Sequence, residues 1–200
     1  YLCAVDLGVD QVKIYKFNDE TGKITLVDML RCELESAPRI IKFSPDGRFA
    51  YLICELKNYI SVYSYKDGPR GPVFELVQTI STLNEYHSKG SAACVLRFSR
   101  DWKYVLCSNA GDNSVGIFKI DRETGMLEKI CILPVSGDYP KAADFFPDNR
   151  HIMALNHESN TMTIFRINYE KKYFSLWGKP LKVETPNCVL VSEIEEAPKQ

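Results

Sequence analysis

The sequence predicts an all-β chain made of repeated four-stranded sheets, and three observations support this prediction. FSPDGRFAYLICELKNYISVYSY, FSRDWKYVLCSNAGDNSVGIFKI and FFPDNRHIMALNHESNTMTIFRI follow one template. Their hydrophobic runs are short, rich in β-branched and aromatic residues, and bounded by Pro, Asp, Gly and Asn, as is typical of strands. The repeat is about 50 residues long, a period that favours the blades of a β-propeller over helical repeats.

One turn residue marks the phase of the repeat in each copy. It stands two positions before a β-branched or apolar residue, and successive copies are 48, 55 and 47 residues apart. The four copies are Asp10, Asn58, Asn113 and Asn160. Because four antiparallel strands make one propeller blade, this phase fixes where each blade begins and ends.

The blade boundaries follow from this phase within one domain that spans 1–200. We predict a partial blade at 1–35, whole blades at 38–90, 92–138 and 140–184, and a closing strand at 186–194. In the first whole blade the predicted strands cover 39–44, 49–55, 59–65 and 73–80. The chain begins in a second strand and ends in a first strand, so we expect the C-terminal part of a larger propeller domain. Bare edge strands invite association, and we expect a segment preceding Tyr1, or a second copy in a homo-oligomer, to cover them.

Composition and charge exclude several classes of function. Lys and Arg number 25 against 26 Asp and Glu, so a net charge of -1 gives no field that would attract nucleic acid or anionic lipid. No apolar run approaches the roughly 18 residues that a membrane span needs. The seven cysteines are scattered without a C-x-x-C pair and indicate reduced thiols in a cytoplasmic protein. Three histidines without ligand spacing predict neither a metal nor another cofactor.

A candidate site lies at one end of the inner strands. The strand at 39–44 returns through SPDG as the strand at 49–55, and paired residues in such a hairpin have a nearly constant index sum. This sum places Arg39 opposite Glu55 at one mouth of the central channel. The equivalent hairpin brings Lys141 near His157. On pairing alone, an ordinary cross-strand ion pair worth about 0.2–1 kcal/mol explains Arg39 and Glu55 equally well.

Four segments carry a resemblance to a known family. LGVDQVKIYKF, APRIIKFSPDGRFAYLICEL, SNAGDNSVGIFKID and PNCVLVSE resemble the seven-bladed propeller lactonases, which include 6-phosphogluconolactonases and carboxy-muconate cycloisomerases. The resemblance covers essentially the whole chain and implies about four blade-equivalents of a seven-bladed propeller. It matches Arg39 to the arginine of the family's G-P-R-H segment, Glu55 to the glutamate of N-E-L, and Asp6 to the acidic residue of D-x-G.

The chain also departs from the family pattern. Ala110 stands in SNAG where the family commonly has an arginine, Ile40 replaces a histidine, and Lys141 replaces an arginine. We expect Cys94 and Ala110 to leave a gap in the rim. Such a gap would make the pocket wider or less cationic, and phosphorylated lactones would then be poorer substrates than less anionic ones.

Three functions remain open. The resemblance favours a lactone hydrolase of the 6-phosphogluconolactonase type, acting on a sugar lactone in carbohydrate metabolism. The alternatives are a muconate-type cycloisomerase and a non-catalytic scaffold that binds a protein or metabolite at its rim. In the hydrolase, Arg39 would bind the substrate anion or the developing oxyanion, and Glu55 would orient Arg39 or act as the base. We expect the substrate-binding residues to be Asp6, Lys141 and His157.

Overall fold

The computed structural model describes residues 1–69 and 71–192, and within them it confirms the all-β prediction. The helical content of this part is a single three-residue 3-10 turn, Leu7–Val9. The strands form four antiparallel sheets that follow one another along the chain. This succession of sheets is the one that the repeat predicts.

The strand bounds are as follows. The first sheet contains β1 (Leu2–Asp6), β2 (Gln11–Phe17) and β3 (Ile24–Arg31). The second contains β4 (Pro38–Phe43), β5 (Phe49–Cys54), β6 (Tyr59–Gly68) and β7 (Gly71–Ser81). The third contains β8 (Ala93–Phe98), β9 (Tyr104–Asn109), β10 (Ser114–Ile120) and β11 (Leu127–Pro134). The fourth contains β12 (Pro140–Phe145), β13 (His151–Asn156), β14 (Thr161–Asn168), β15 (Tyr173–Leu176) and β16 (Leu181–Lys182).

The predicted closing strand at 186–194 differs from the structure. Residues 186–192 carry no strand, and 193–194 lie outside the described residues. A strand needs a hydrogen-bonded neighbour, and the structure assigns no strand partner to 186–192. The composition of CVLVSEI is typical of a strand, but the prediction was wrong for 186–192 because no neighbouring strand pairs with these residues.

Hydrophobic cores lie between successive sheets. The first and second sheets share a core that includes Val12, Ala50, Leu52, Cys54 and Tyr63. The second and third share one that includes Tyr51, Ile53, Ile60, Leu96 and Phe118. The third and fourth share one that includes Leu106, Ile117, Ile152 and Phe165. Sheets that pack face to face in chain order are the arrangement of propeller blades.

The repeated turn residue links each sheet to the next. All four copies adopt the left-handed region, with φ between 51° and 54°, which Asn and Asp tolerate best among residues with a side chain. Each side chain makes a hydrogen bond of 2.8 or 2.9 Å to the backbone just before the next inner strand or its equivalent. These contacts join Asp10 to Ala37, Asn58 to Ser91, Asn113 to Tyr139 and Asn160 to Thr185. We call these side chains the turn anchors.

Gly125 provides a test of how tightly the second and third sheets pack. Its φ is +74°, and a Cβ there would overlap the Phe49 ring of the neighbouring sheet. We expect Gly125→Ala to lower the free energy of unfolding by about 2–4 kcal/mol, because overpacking adds to the left-handed backbone cost. Urea denaturation measures this change.

Gly22 is the matched control. It occupies the equivalent turn of the first sheet with φ +68°, and a Cβ there would meet nothing within 4 Å. Gly22→Ala should therefore cost only the backbone term of about 1–2 kcal/mol. Equal losses for the two variants would contradict tight packing at Gly125.

Candidate active site at one end of the inner strands

A β-bulge occurs at the same place in three inner strands. Pairing of β4 with β5 runs regularly from Phe43 to Ile40 and then skips one residue before Pro38. The skipped residue is Arg39, and its counterparts in β8 and β12 are Cys94 and Lys141. A bulge re-aims the side chain of its extra residue. The index sum predicted direct pairing of Arg39 with Glu55, and the bulge corrects this register by one residue.

Arg39 and Glu55 nevertheless form an ion pair. The Nη1 atom of Arg39 donates to Oε2 of Glu55. The Arg39 side chain is 40% exposed and the Glu55 side chain 21% exposed, so the guanidinium keeps open faces toward solvent. The backbone of Glu55 is fixed on both sides: its amide donates to Ala37 and its carbonyl accepts from Ala93. A rigid carboxylate thus holds one edge of an accessible guanidinium.

Cys94 lies among the charges of the site. Arg39 and Lys141 lie close enough for their charges to lower the pKa of its thiol, and Glu55 lies close enough to raise it. The residue is 6% exposed, and its Sγ donates to the Ala92 carbonyl at 3.3 Å. Burial raises the pKa of this thiol above its usual value. Because the thiolate is the nucleophilic form, the raised pKa makes Cys94 a poor nucleophile, and we assign it no chemical role.

Lys141 and His157 do not form the expected pair. The Lys141 ammonium lies 5.6 Å from the centre of the Tyr139 ring, in a cation–π contact. His157 Nδ1 lies 3.2 Å from the Pro186 carbonyl oxygen, and its amide donates to the Tyr139 carbonyl. Pro186 belongs to the segment that follows the last strand. Its carbonyl contacts the ring nitrogen of His157 that we expected to lie near Lys141. Lys141 lies at the start of β12 and His157 directly follows β13, so both are at the same end of this hairpin.

Asp6 has a partner on its own sheet. Its carboxylate accepts a hydrogen bond from Lys13 Nζ at 2.8 Å, diagonally across β1 and β2. This bond holds the pKa of Asp6 below its usual value. Diagonal pairs in antiparallel sheets are readable from sequence, and the DLGVDQVK spacing offered that signal. A direct role of Asp6 in substrate binding stays a prediction.

The expected gap at Ala110 is filled. Ala110 is 0% exposed, and its amide donates to the Ala92 carbonyl. The connection between β7 and β8, residues 82–92, covers this turn so closely that a Cβ on Gly111 would overlap the Gly90 carbonyl oxygen. The expected gap at Ala110 is therefore absent, because a non-repeating loop packs over this turn. A less cationic pocket stays a prediction.

An arginine at position 110 tests this correction. We expect Ala110→Arg to lower the free energy of unfolding by about 1–3 kcal/mol, because the longer side chain must displace the covering loop. Urea denaturation measures the loss. Leu56→Arg, in the equivalent turn of the second sheet and 60% exposed, should change the free energy by no more than about 0.5 kcal/mol. If Ala110→Arg leaves the free energy of unfolding unchanged, the turn has room for an arginine and the gap exists after all.

The same loop builds a cavity beside the ion pair. The cavity has a volume of about 730 Å³ and is lined by Glu55, Tyr139, His87 and Lys89, among others. Sequence reasoning assigned no site role to Tyr139 or Lys89, since neither belongs to the repeat template. Lys89 is exposed and adds a cation to this end of the inner strands. The cavity is large enough for a sugar-sized ligand.

The described residues show neither a metal cluster nor a membrane-spanning helix. Among residues 1–69 and 71–192, no group of three or more His, Cys, Asp or Glu side chains could hold a metal ion. The same residues contain no helix with the length and hydrophobicity to cross a membrane.

The chain is similar to proteins of one known family. A family model described as "Lactonase, 7-bladed beta-propeller" matches residues 1–191. An uncharacterized protein of Lactococcus lactis is 33% identical over 189 residues, which cover 94% of this chain and 54% of the relative. A 6-phosphogluconolactonase of Bacillus subtilis is 26% identical over 189 residues, covering 94% and 53%.

Solved structures give the same picture. A periplasmic gluconolactonase of Pseudomonas aeruginosa superposes with a TM-score of 0.83 at 26% identity, covering 93% of this chain and 52% of that one. A putative 6-phosphogluconolactonase of Bacteroides fragilis gives 0.80 at 26% identity, covering 94% and 53%. The chain spans about half the length of these proteins.

Proposed function

Because the chain belongs to the seven-bladed β-propeller lactonase family, we propose that the whole protein hydrolyses a sugar lactone, with Arg39 and Glu55 at the reacting centre. The observation that carries this proposal is the ion pair at the bulge of β4, where a half-exposed guanidinium is held by a rigid carboxylate. The adjoining cavity offers room for the sugar ring. The relatives' names favour a lactone of the 6-phosphogluconolactone type.

Hydrolysis of a lactone requires an activated water, a donor that stabilises the oxyanion, and groups that bind the rest of the substrate. Water adds to the lactone carbonyl carbon, the ring C–O bond breaks, and the proton lost by the water ends on the released hydroxyl. The carbonyl oxygen becomes an oxyanion in the transition state, and a positioned cationic donor stabilises it. Arg39 is the donor best suited to this task, because its planar fork keeps free N–H groups after one has gone to Glu55.

Glu55 acts through Arg39 in this mechanism. Its carboxylate contacts the guanidinium directly and so fixes the direction of the remaining N–H groups. Glu55 could instead accept the proton of the attacking water. In that role its carboxylate would have to give up the hydrogen bond to Arg39 or contact the water with its other oxygen. We assign the orienting role, since the contact in the structure is made to Arg39.

Further cations would hold the acidic part of the substrate. Lys141 is fixed against Tyr139, and Lys89 lines the cavity beside Glu55. Together they could bind a carboxylate or phosphate on the far side of the ring. His157 at the end of β13 and Asp6 at the end of β1 would contact sugar hydroxyl groups. We also propose that the protein works in carbohydrate metabolism, as a sugar-lactone substrate implies, and in the cytoplasm, where scattered cysteines stay reduced.

A hydrolysis assay on the full-length protein tests the proposal. The δ-lactones of gluconate and of 6-phosphogluconate should both be offered, and proton release followed against the spontaneous rate in the same buffer. We expect an enzyme-dependent rate with at least one of them. Rates equal to buffer with both lactones would contradict the proposal and support a non-catalytic scaffold.

A further inference from the structure

A second cluster of charged residues lies at the opposite end of the inner strands. It contains Lys42 of β4, Arg97 of β8 and Asp144 of β12, each three residues after the bulge residue of its strand. At about 3.3 Å per residue the two clusters are separated by about 10 Å along the strands. β8 contacts both β4 and β12, so the three side chains come from adjacent strands.

The charges in this cluster are not balanced. Arg97 Nε lies 3.4 Å from Asp144 Oδ2 as an ion pair, and Asp144 also accepts the Phe145 amide at 2.8 Å. Arg97 Nε is buried and has no hydrogen-bond partner of good geometry. In residues 1–69 and 71–192 the Lys42 ammonium forms neither a hydrogen bond nor an ion pair. Among the described residues, Lys42 and Arg97 therefore share the carboxylate of Asp144, and the charge of Arg100 also acts on that carboxylate.

Burial makes this imbalance costly. Burial lowers the pKa of Lys42, and the neighbouring charge of Arg97 lowers it further. Burial also raises the pKa of Asp144 above its usual value. A partly desolvated pair of cations is stabilised when an anion enters and makes charge-assisted hydrogen bonds to both.

An open cavity gives an anion access to this cluster. It has a volume of about 730 Å³, and its lining includes Lys42, Arg97 and Asp144 together with Arg100, Trp102 and, from the segment after the last strand, Leu190 and Val191. It shares no lining residue with the cavity beside Glu55. The site is thus structurally separate from the proposed reacting centre.

We propose that this cavity binds a small phosphate-bearing anion between Lys42 and Arg97. Phosphate fits because it carries between one and two negative charges at neutral pH and has several acceptor oxygens, which match one ammonium and one guanidinium fork. The anion could be inorganic phosphate or the phosphate group of a metabolite. By touching β4 and β8 together, it would join two neighbouring sheets. This inference does not depend on lactone hydrolysis.

Calorimetric titration of the full-length protein with inorganic phosphate tests the proposal, with potassium chloride holding the ionic strength constant. The titration is made in an Arg39→Ala background, which removes an arginine from the other end of the strands. We expect binding to persist there and to weaken at least about 10-fold on adding Lys42→Met, which removes the cation and keeps the stem. Glucose 6-phosphate, compared with free phosphate, reports whether the site accepts a phosphorylated metabolite.

Two variants control this experiment. Lys66→Met removes an exposed lysine that pairs with Glu75 on the outer strands, and phosphate binding should be unchanged. Asp144→Asn removes the competing negative charge, so phosphate should bind more tightly by several fold, an outcome that unfolding cannot produce. The proposal is overturned if phosphate does not bind, if binding is lost with Arg39→Ala alone, if Lys42→Met binds like its parent, or if Asp144→Asn weakens binding.

Discussion

Arg39→Ala in the full-length protein is expected to lower kcat/KM for lactone hydrolysis by about 100- to 1000-fold, the loss found when one oxyanion donor is removed. The thermal midpoint should change by less than about 4 °C, because an exposed ion pair contributes at most about 1 kcal/mol. Arg39→Lys should recover only part of the loss, since an ammonium keeps the charge but lacks the fork that contacts Glu55 and substrate together. Initial rates and calorimetric midpoints measure both effects.

Arg48→Ala is the matched control for this prediction. Arg48 lies in the turn at the other end of the same hairpin, is 49% exposed, and forms a comparable ion pair with Asp46 at 2.7 Å. Its loss should leave kcat/KM within about twofold of wild type, since it touches no part of the proposed centre. If Arg39→Ala and Arg48→Ala behave alike, the Arg39–Glu55 pair is an ordinary feature of the sheet.

Replacement of Glu55 is expected to have the second largest effect. With Glu55→Ala, kcat/KM should fall by about 10- to 100-fold, because Arg39 keeps its charge and loses its orientation. Glu55→Gln should recover much of this loss, since an amide oxygen can still accept the guanidinium hydrogen bond. The acid limb of the pH profile should then be the same in wild type and Glu55→Gln.

A general base would give a different result. If Glu55 took the proton from water, Glu55→Gln would be as inactive as Glu55→Ala, with losses of about 100- to 10,000-fold. The acid limb of the profile would disappear with the carboxylate. Either observation would contradict the orienting role and reassign Glu55 as the base.

Much of the fold could be predicted from the sequence because every copy of the repeat contains the same strand and turn pattern. The turn anchors were recognised by spacing alone, and all of them adopt the left-handed conformation. The strands predicted for the first whole blade lie within three residues of the observed β4 to β7. Such agreement arises since period-two hydrophobicity and turn residues are local properties of each copy.

The site was less predictable, for two physical reasons. An index sum assumes that each residue of one strand pairs with one residue of the other. The bulge at Arg39 inserts an extra residue, and no residue type in the sequence indicated it. The loop at 82–92 belongs to no repeat, so nothing in the template indicated that it covers Ala110. The register of Arg39 and the filled gap were both missed because they depend on these irregular elements.

The turn anchors have a consequence for how such a chain can be cut and rejoined. Asp10 holds the backbone just before the strand that carries Arg39, and Asn113 does the same before the strand that carries Lys141. Arg39 and Lys141 are therefore positioned by the preceding sheet as well as by their own. A recombined or duplicated segment keeps this geometry when it runs from the second strand of one sheet through the first strand of the next. The segment to exchange in a chimeric propeller of this kind is thus offset by one strand from the four-stranded sheet.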